Sequence, residues 1–71
     1  MKIMVMPKYG RTQSKVESFG DYRYLVSLIS SQGAAGDNEL IAIMSKHLGI
    51  PSSRVEIKGR GQRGEVVLEV L

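Results

Sequence analysis

The residues whose types and spacing invite chemistry lie in Gly59-Arg60-Gly61-Gln62-Arg63-Gly64. Their glycines spell G-x-G-x-x-G, the fingerprint of a loop that cradles a pyrophosphate. That chemistry needs a strand before the loop, a helix after it whose N-terminus receives the phosphates, and an acidic residue about 20 positions on for the ribose. Here the residues after Gly64 alternate with period two and are rich in valine. A strand follows where the fingerprint requires a helix, so the dinucleotide reading fails. The stretch reads instead as the tip of a β-hairpin, with glycines supplying positive φ and Arg60 and Arg63 projecting into solvent. Guanidinium forks bind phosphate oxygens, and bare glycine amides can form an anion nest. A charged loop that merely keeps the hairpin soluble accounts for the same residues, and both readings stand.

Little else in the chain suggests reactivity. His47 is the single histidine; it falls in the last turn of the expected helix, where positive charge is favoured, and reads as a rim or capping residue. Ser30 and Ser31 have no His or acidic neighbour in sequence to activate them. There is no cysteine, which removes thiol chemistry, disulfides and Cys-based zinc sites. Asp37 beside the two serines is the one conceivable polar cluster, and a helix cap explains it without chemistry. The chain is therefore expected to be non-enzymatic, with no cofactor and no metal site. Ten Lys and Arg against seven Asp and Glu give a formal charge of +3, which permits contact with nucleic acid or another acidic partner.

The elements that must position these residues follow from periodicity. Seventy-one residues make one domain, 1–71, and a domain this small is marginally stable by size alone. Lys2 to Met6 read as a first strand ending at Pro7, which cannot continue a central ladder. Pro7 to Gly20 is polar and reads as a long connection with a strand-like turn around Val16. Asp21 to Ile29 form a second strand, with Tyr22, Tyr24, Val26 and Leu28 on one face. The tyrosines could stack on bases, but ordinary core packing explains them better. Ser30 to Gly36 is a small-residue loop. Asp37 to Leu48 carry Leu40, Ile41, Ile43, Met44 and Leu48 at helical spacing, with Gly36 or Asp37 as N-cap, Gly49 closing the C-terminus and Pro51 forbidding continuation. Arg54 to Lys58 and Glu65 to Leu71 form the last two strands, paired as a hairpin. The expected fold class is α+β: a small mixed four-stranded sheet with one main helix packed on one face, in the order β-β-α-β-β. A crossover from the second strand through the helix to the third makes those two strands parallel.

Three segments resemble the YggU-like family of small uncharacterised proteins, catalogued as domain of unknown function 167. Ile3-Met4-Val5-Met6-Pro7-Lys8-Tyr9-Gly10-Arg11 is similar to the family's opening strand, proline, small polar run and arginine. Gly36-Asp37-Asn38-Glu39-Leu40-Ile41 through Lys46-His47-Leu48-Gly49-Ile50 resembles its Ala-Asn-x-x-Leu helix start and its leucine-glycine-aliphatic helix end. Ser53 to Gly59, with Arg63 and Val66-Val67, resembles its strand, glycine, Ser-Arg-rich turn and final strand. The departures are specific. Gly36 and Asp37 stand for the alanine and asparagine, no Ala-Pro-Pro precedes the helix, Gln62 stands for the serine before the turn arginine, and Gly64-Glu65 replace a lysine beyond it. No C-terminal helix of the family type is expected after Leu71. The resemblance implies an α+β fold and no established activity.

Two functions compete on this basis. The first is a small binding module that contacts RNA, DNA or another anion through the basic hairpin loop, using Lys58, Arg60 and Arg63 with Lys8, Arg11 and Arg54. The alternative is a protein-interaction module or homodimer subunit in which Met4, Met6, Leu25, Ile29, Val67 and Leu71 form an uncovered sheet face. No run of apolar residues approaches a membrane span, and the short alternating N-terminus does not read as a signal peptide, so a cytoplasmic location is expected.

Overall fold

The computed structural model describes residues 1–71. Its elements are β1 (Lys2–Lys8), β2 (Lys15–Ser18), β3 (Arg23–Ser27), α1 (Ala34–Leu48), a 3₁₀ turn (Ser52–Arg54), β4 (Val55–Arg60) and β5 (Val66–Val70). The strands form one mixed sheet of five in the order β2-β3-β1-β5-β4. β1 pairs parallel with β3 and antiparallel with β5, while β2–β3 and β4–β5 are antiparallel hairpins. The α+β class with one helix on one face holds; the expectation of four strands does not. β3 and β4 do run in the same direction, as the crossover through α1 requires, but β1 and β5 lie between them.

The fifth strand is β2, inside the segment read as a connection. Its backbone completes the free edge of β3, with Val16 opposite Val26. Only Val16 supplies an apolar group, so no alternation marks the strand in the sequence. β1 also runs through Pro7 to Lys8, past the expected stop. Met4 N–H donates to Tyr22 O and Leu28 N–H to Lys8 O. Alternate residues of a parallel strand bond to the same neighbour, so Met4, Met6 and Lys8 turn their polar groups to β3, and Pro7 turns away from it. On that other side β5 reaches only to Val66, opposite Val5. Pro7 therefore lacks a donor where no acceptor waits, and its ring is buried instead.

Register fixes which side chains meet the helix. Ile3, Val5, Val26, Leu28, Val55, Val66 and Leu68 are buried on one face and close the core with Leu40 and Met44 of α1. Nine such side chains transfer enough apolar surface to hold one sheet face to one helix, at about 1.5–3 kcal/mol each before entropy is counted. The other face, bearing Met4, Met6, Leu25 and Val67, is covered by nothing in the chain.

α1 begins three residues earlier than the apolar stripe suggests. Its N-cap is Gly33, at φ 127° and ψ −158°, with no side-chain cap, and the first i→i−4 bond runs from Asp37 N–H to Gly33 O. Ala34 and Ala35 are strong helix formers. Gly36 is buried within the first turns because α1 passes close to the loops beneath it: a Cβ there would lie 2.6 Å from Ser31 O and 2.7 Å from the Tyr9 ring. Neither Gly36 nor Asp37 is the cap. Leu40 and Met44 continue the buried line from Gly36, and Ser45 is buried with its Oγ donating to Ala42 O at 2.8 Å. Gly49 closes the helix in the left-handed region (φ 72°, ψ 33°), with Ile50 N–H bonding back to Ser45 O, as the Leu-Gly-Ile-Pro run predicts.

Tyr22 does not join β3. Asp21 and Tyr22 both have positive φ, 51° and 60°, and Arg23 N–H bonds to Gly20 O. The four residues Gly20 to Arg23 make a tight hairpin turn of the I′ kind, so only Tyr24 of the pair reaches the helix face.

Candidate functional site

The candidate residues belong to several elements. The parallel strands β1 and β3 both end where the β4–β5 hairpin closes, because Val5 is opposite both Tyr24 and Val66, and Val66 is opposite Arg60. α1 starts at that same end. Lys8 at the end of β1, Arg11 of the β1–β2 loop, Arg60, and Arg63 of the hairpin tip therefore gather at one end of the sheet. The loop is held there by backbone bonds, Gly10 N–H to Ser30 O and Arg11 N–H to Leu28 O.

Two of the six predicted cations lie elsewhere. Arg54 is at the opposite end, where its Nε donates to Leu71 O at 2.7 Å and its carbonyl accepts from Leu71 N–H. Lys58 stands on the uncovered face of β4, paired with Glu56 at 3.3 Å.

Arg60 does not project freely into solvent. A register shift between Ile57 and Gly59 sets Lys58 and Gly59 together against Val67, which is a β-bulge. Without the extra residue, strict alternation from Val55 and Ile57 would turn Arg60 to the uncovered face. With it, Arg60 shares the helix face of Val66 and reaches α1, where its Nη2 donates to Asp37 Oδ2 at 2.6 Å. The Asp37 hydrogen bond raises the Arg60 pKa above its ordinary value, and Tyr9 adds to this in the same direction. The pair is partly open, 46% exposed on the Arg60 side and 25% on the Asp37 side. Asp37 Oδ1 is enclosed without a partner. The arginine thus ties the hairpin to the first turn of α1, and part of its charge is already answered.

Arg63 is the free cation of the hairpin tip. Its backbone N–H is held by Glu65 Oε1 at 3.1 Å, and Gly61 N–H bonds to Glu65 O, so the turn is shaped by Glu65 while the guanidinium has no acidic partner. A shallow depression of about 540 Å³ opens beneath it, lined by Met4, Val67, Gly59, Gly61 and Gln62 with Arg60 and Glu65 at its border.

Glu39 is the residue that sequence reasoning passed over. Spacing alone puts it on the polar side of α1, off the line of Leu40 and Met44. Its Oε2 instead accepts from Ser14 Oγ at 2.7 Å and Ile29 N–H at 3.0 Å, and its Oε1 from Ser30 N–H at 2.8 Å. The backbone donors Ser30 and Ile29 hold its pKa down from 4.5 to about 2. One carboxylate thus fastens the β1–β2 and β3–α1 loops to the helix. No spacing in the sequence announces this, because the partners come from two other segments, Ser14 in one loop and Ile29 with Ser30 in another.

His47 packs edge-on against Tyr24, with ring centroids 5.6 Å apart and planes at 79°. No three His, Asp or Glu side chains are grouped so as to hold a metal ion. No helix is long and apolar enough to cross a membrane. Comparison with protein-family models, curated proteins and solved structures gives no match.

Proposed function

We propose that the protein is a small binding module that contacts RNA or DNA through the end of the sheet where β1, α1 and the β4–β5 hairpin meet. The observation that carries this reading is the gathering of Lys8, Arg11 and Arg63, from the end of β1, the β1–β2 loop and the β4–β5 hairpin tip, onto one end of the sheet, each exposed and with no acidic partner at 4 Å or less. Arg63 is the principal contact. Lys8 and Arg11 extend the track, and Arg60 positions the hairpin through Asp37 while its exposed edge adds to the field. Arg54 and Lys58 take no direct part. The resemblance to the YggU-like family belongs to the same proposal and adds no activity, and nucleic-acid contact would go with a cytoplasmic location.

Three phosphate contacts give a salt slope of roughly −2 to −3 in log–log form. Fluorescence anisotropy with single- and double-stranded oligonucleotides of RNA and DNA, at a series of salt concentrations, tests the proposal. Lys8→Ala, Arg11→Ala and Arg63→Ala combined should abolish binding and Arg54→Ala should leave it unchanged. Binding to none of the four probes at low salt, or equal loss in Arg54→Ala, refutes it.

A further inference from the structure

Of the four cations gathered at the candidate end of the sheet, Arg60 alone has its charge answered. Lys8, Arg11 and Arg63 have no ion-pair partner, whereas Arg60 Nη2 meets Asp37 Oδ2 at 2.6 Å. The contact with the carboxylate is a single one. A guanidinium carries five N–H donors in a fixed fork, and one nitrogen of it is given to Asp37. The side chain stays 46% exposed, so an acceptor arriving from solvent can reach the rest of the fork.

The two partners differ in how they are held. Asp37 belongs to the first turns of α1, where its N–H bonds to Gly33 O. Its Oδ2 accepts from Arg60 and its Oδ1 is enclosed with no donor, so the carboxylate depends on this one guanidinium. Arg60 ends β4 at the glycine-rich turn. The bonds of that turn are its own: Gly61 N–H to Glu65 O, Gly64 N–H to Gly61 O and Arg63 N–H to Glu65 Oε1. No other hydrogen bond or ion pair joins Gly59 to Glu65 with α1. One pair is therefore the polar tie between the hairpin tip and the helix.

We infer that Asp37 is an internal stand-in for phosphate: it occupies Arg60 in the free protein, and a strand already held by Lys8, Arg11 and Arg63 takes the guanidinium over and frees the hairpin tip from α1. This exchange rests on the nucleic-acid contact proposed above and deepens it by making one cation of that site conditional. Carboxylate and phosphate offer the fork the same kind of oxygen pair, so the swap is like for like. A partly exposed pair is weak enough to be displaced. A single anion in solution gains only one contact by displacing it and leaves both oxygens of Asp37 unanswered. A strand anchored at three neighbouring cations presents its next phosphate at an effective concentration on the order of millimolar or above, and the exchange becomes intramolecular. The latch thereby distinguishes a polyanion from an isolated phosphate.

Fluorescence anisotropy on the tightest-binding oligonucleotide, with a double-mutant cycle, tests this. Asp37→Asn keeps the shape and removes the charge. It should raise affinity about two- to fivefold, the equivalent of a partly exposed pair. The log–log salt slope should steepen by about 0.7–0.9, because Arg60 then sheds a counterion of its own on binding. Asp37→Ala, neutral and a strong helix former, should give the same gain. Arg60→Ala alone should lower affinity by about twofold or less, and in the Asp37→Asn background it should remove the whole gain. The NMR signal of the Arg60 Nε–H should move on adding oligonucleotide and stay in place on adding inorganic phosphate at the same phosphate concentration. Unchanged or lower affinity in both Asp37 variants overturns the inference. So does an equal gain with and without Arg60, which assigns Asp37 a through-space charge effect only, or an Arg60 signal that inorganic phosphate moves as far. If neither wild type nor Asp37→Asn binds any probe, the nucleic-acid reading itself falls and the latch with it; wild-type binding without the gain removes the latch alone.

Discussion

Replacing Glu39 by Gln tests the carboxylate that fastens two loops to α1. The substitution keeps the shape and removes the charge. Glutamine retains one acceptor oxygen, but its amide nitrogen then faces one of the two backbone donors, Ile29 N–H or Ser30 N–H, that the carboxylate accepts on separate oxygens. The folded-state pKa lies near 2, below the ordinary 4.5. A group depressed in this way contributes its full stabilisation above the ordinary value and loses it as pH falls through the folded one. A shift of this size corresponds to at most about 3 kcal/mol, and Glu39 is only half-buried, so solvent screening brings the expected loss to about 1–2 kcal/mol. For a chain of this length that lowers Tm by about 5–15 °C. Urea unfolding followed by circular dichroism, with wild type and Glu39→Gln side by side at pH 7, 4 and 2.5, measures both parts. The gap should be about 1–2 kcal/mol at pH 7 and narrow between pH 4.5 and 2 as the wild type itself is protonated. A gap that is absent at pH 7, or unchanged at pH 2.5, shows that the carboxylate does not work through its charge.

Other substitutions separate local rules from tertiary ones. Gly36→Ala would ordinarily stabilise a helix by about 1 kcal/mol, but the new Cβ meets Ser31 O and the Tyr9 ring, so a loss of about 1–3 kcal/mol is expected by thermal unfolding. Tyr22→Gly relieves a positive φ at an exposed aromatic in the I′ turn and should raise stability by about 0.5–1 kcal/mol, read as a higher urea midpoint. Arg60→Ala breaks a partly exposed ion pair and should cost about 0.5–1 kcal/mol at low salt and less at high salt, with faster amide exchange at Gly61 and Gly64. An effect of Arg60→Ala that does not change with salt would mean that packing, and not charge, joins the hairpin to α1.

Much of the fold was legible because the core obeys period two and period 3.6 where burial is one-sided. Ile3 and Val5, Val26 and Leu28, Val66 and Leu68 alternate as core strands must, and Leu40 and Met44 mark the helix. Each feature that escaped has a non-local cause. β2 has almost no apolar content and exists because β3 has an edge to fill. The strand over Pro7 is permitted by where β5 stops, which no window around Pro7 can reveal. The helix start was hidden by two glycines that suggest a loop, although Gly36 is required by close approach and only Gly33 by its backbone angle. Composition correctly marked the turn between the last two strands, while the expectation that Arg60 projects into solvent failed because the side chain reaches Asp37. One bulged residue sends it there.

The two outermost strands decide how the open face can be used. β2 is only four residues long and carries Lys15 and Glu17 on the uncovered face, and β4 is interrupted by its bulge and carries Lys58. Short, charged or kinked borders are poor templates for another chain's backbone. Lateral stacking of copies into a ribbon is therefore disfavoured at both margins. A sheet with both borders sealed does not lengthen strand by strand, which lets a protein this small keep methionines in water without becoming the seed of a fibre.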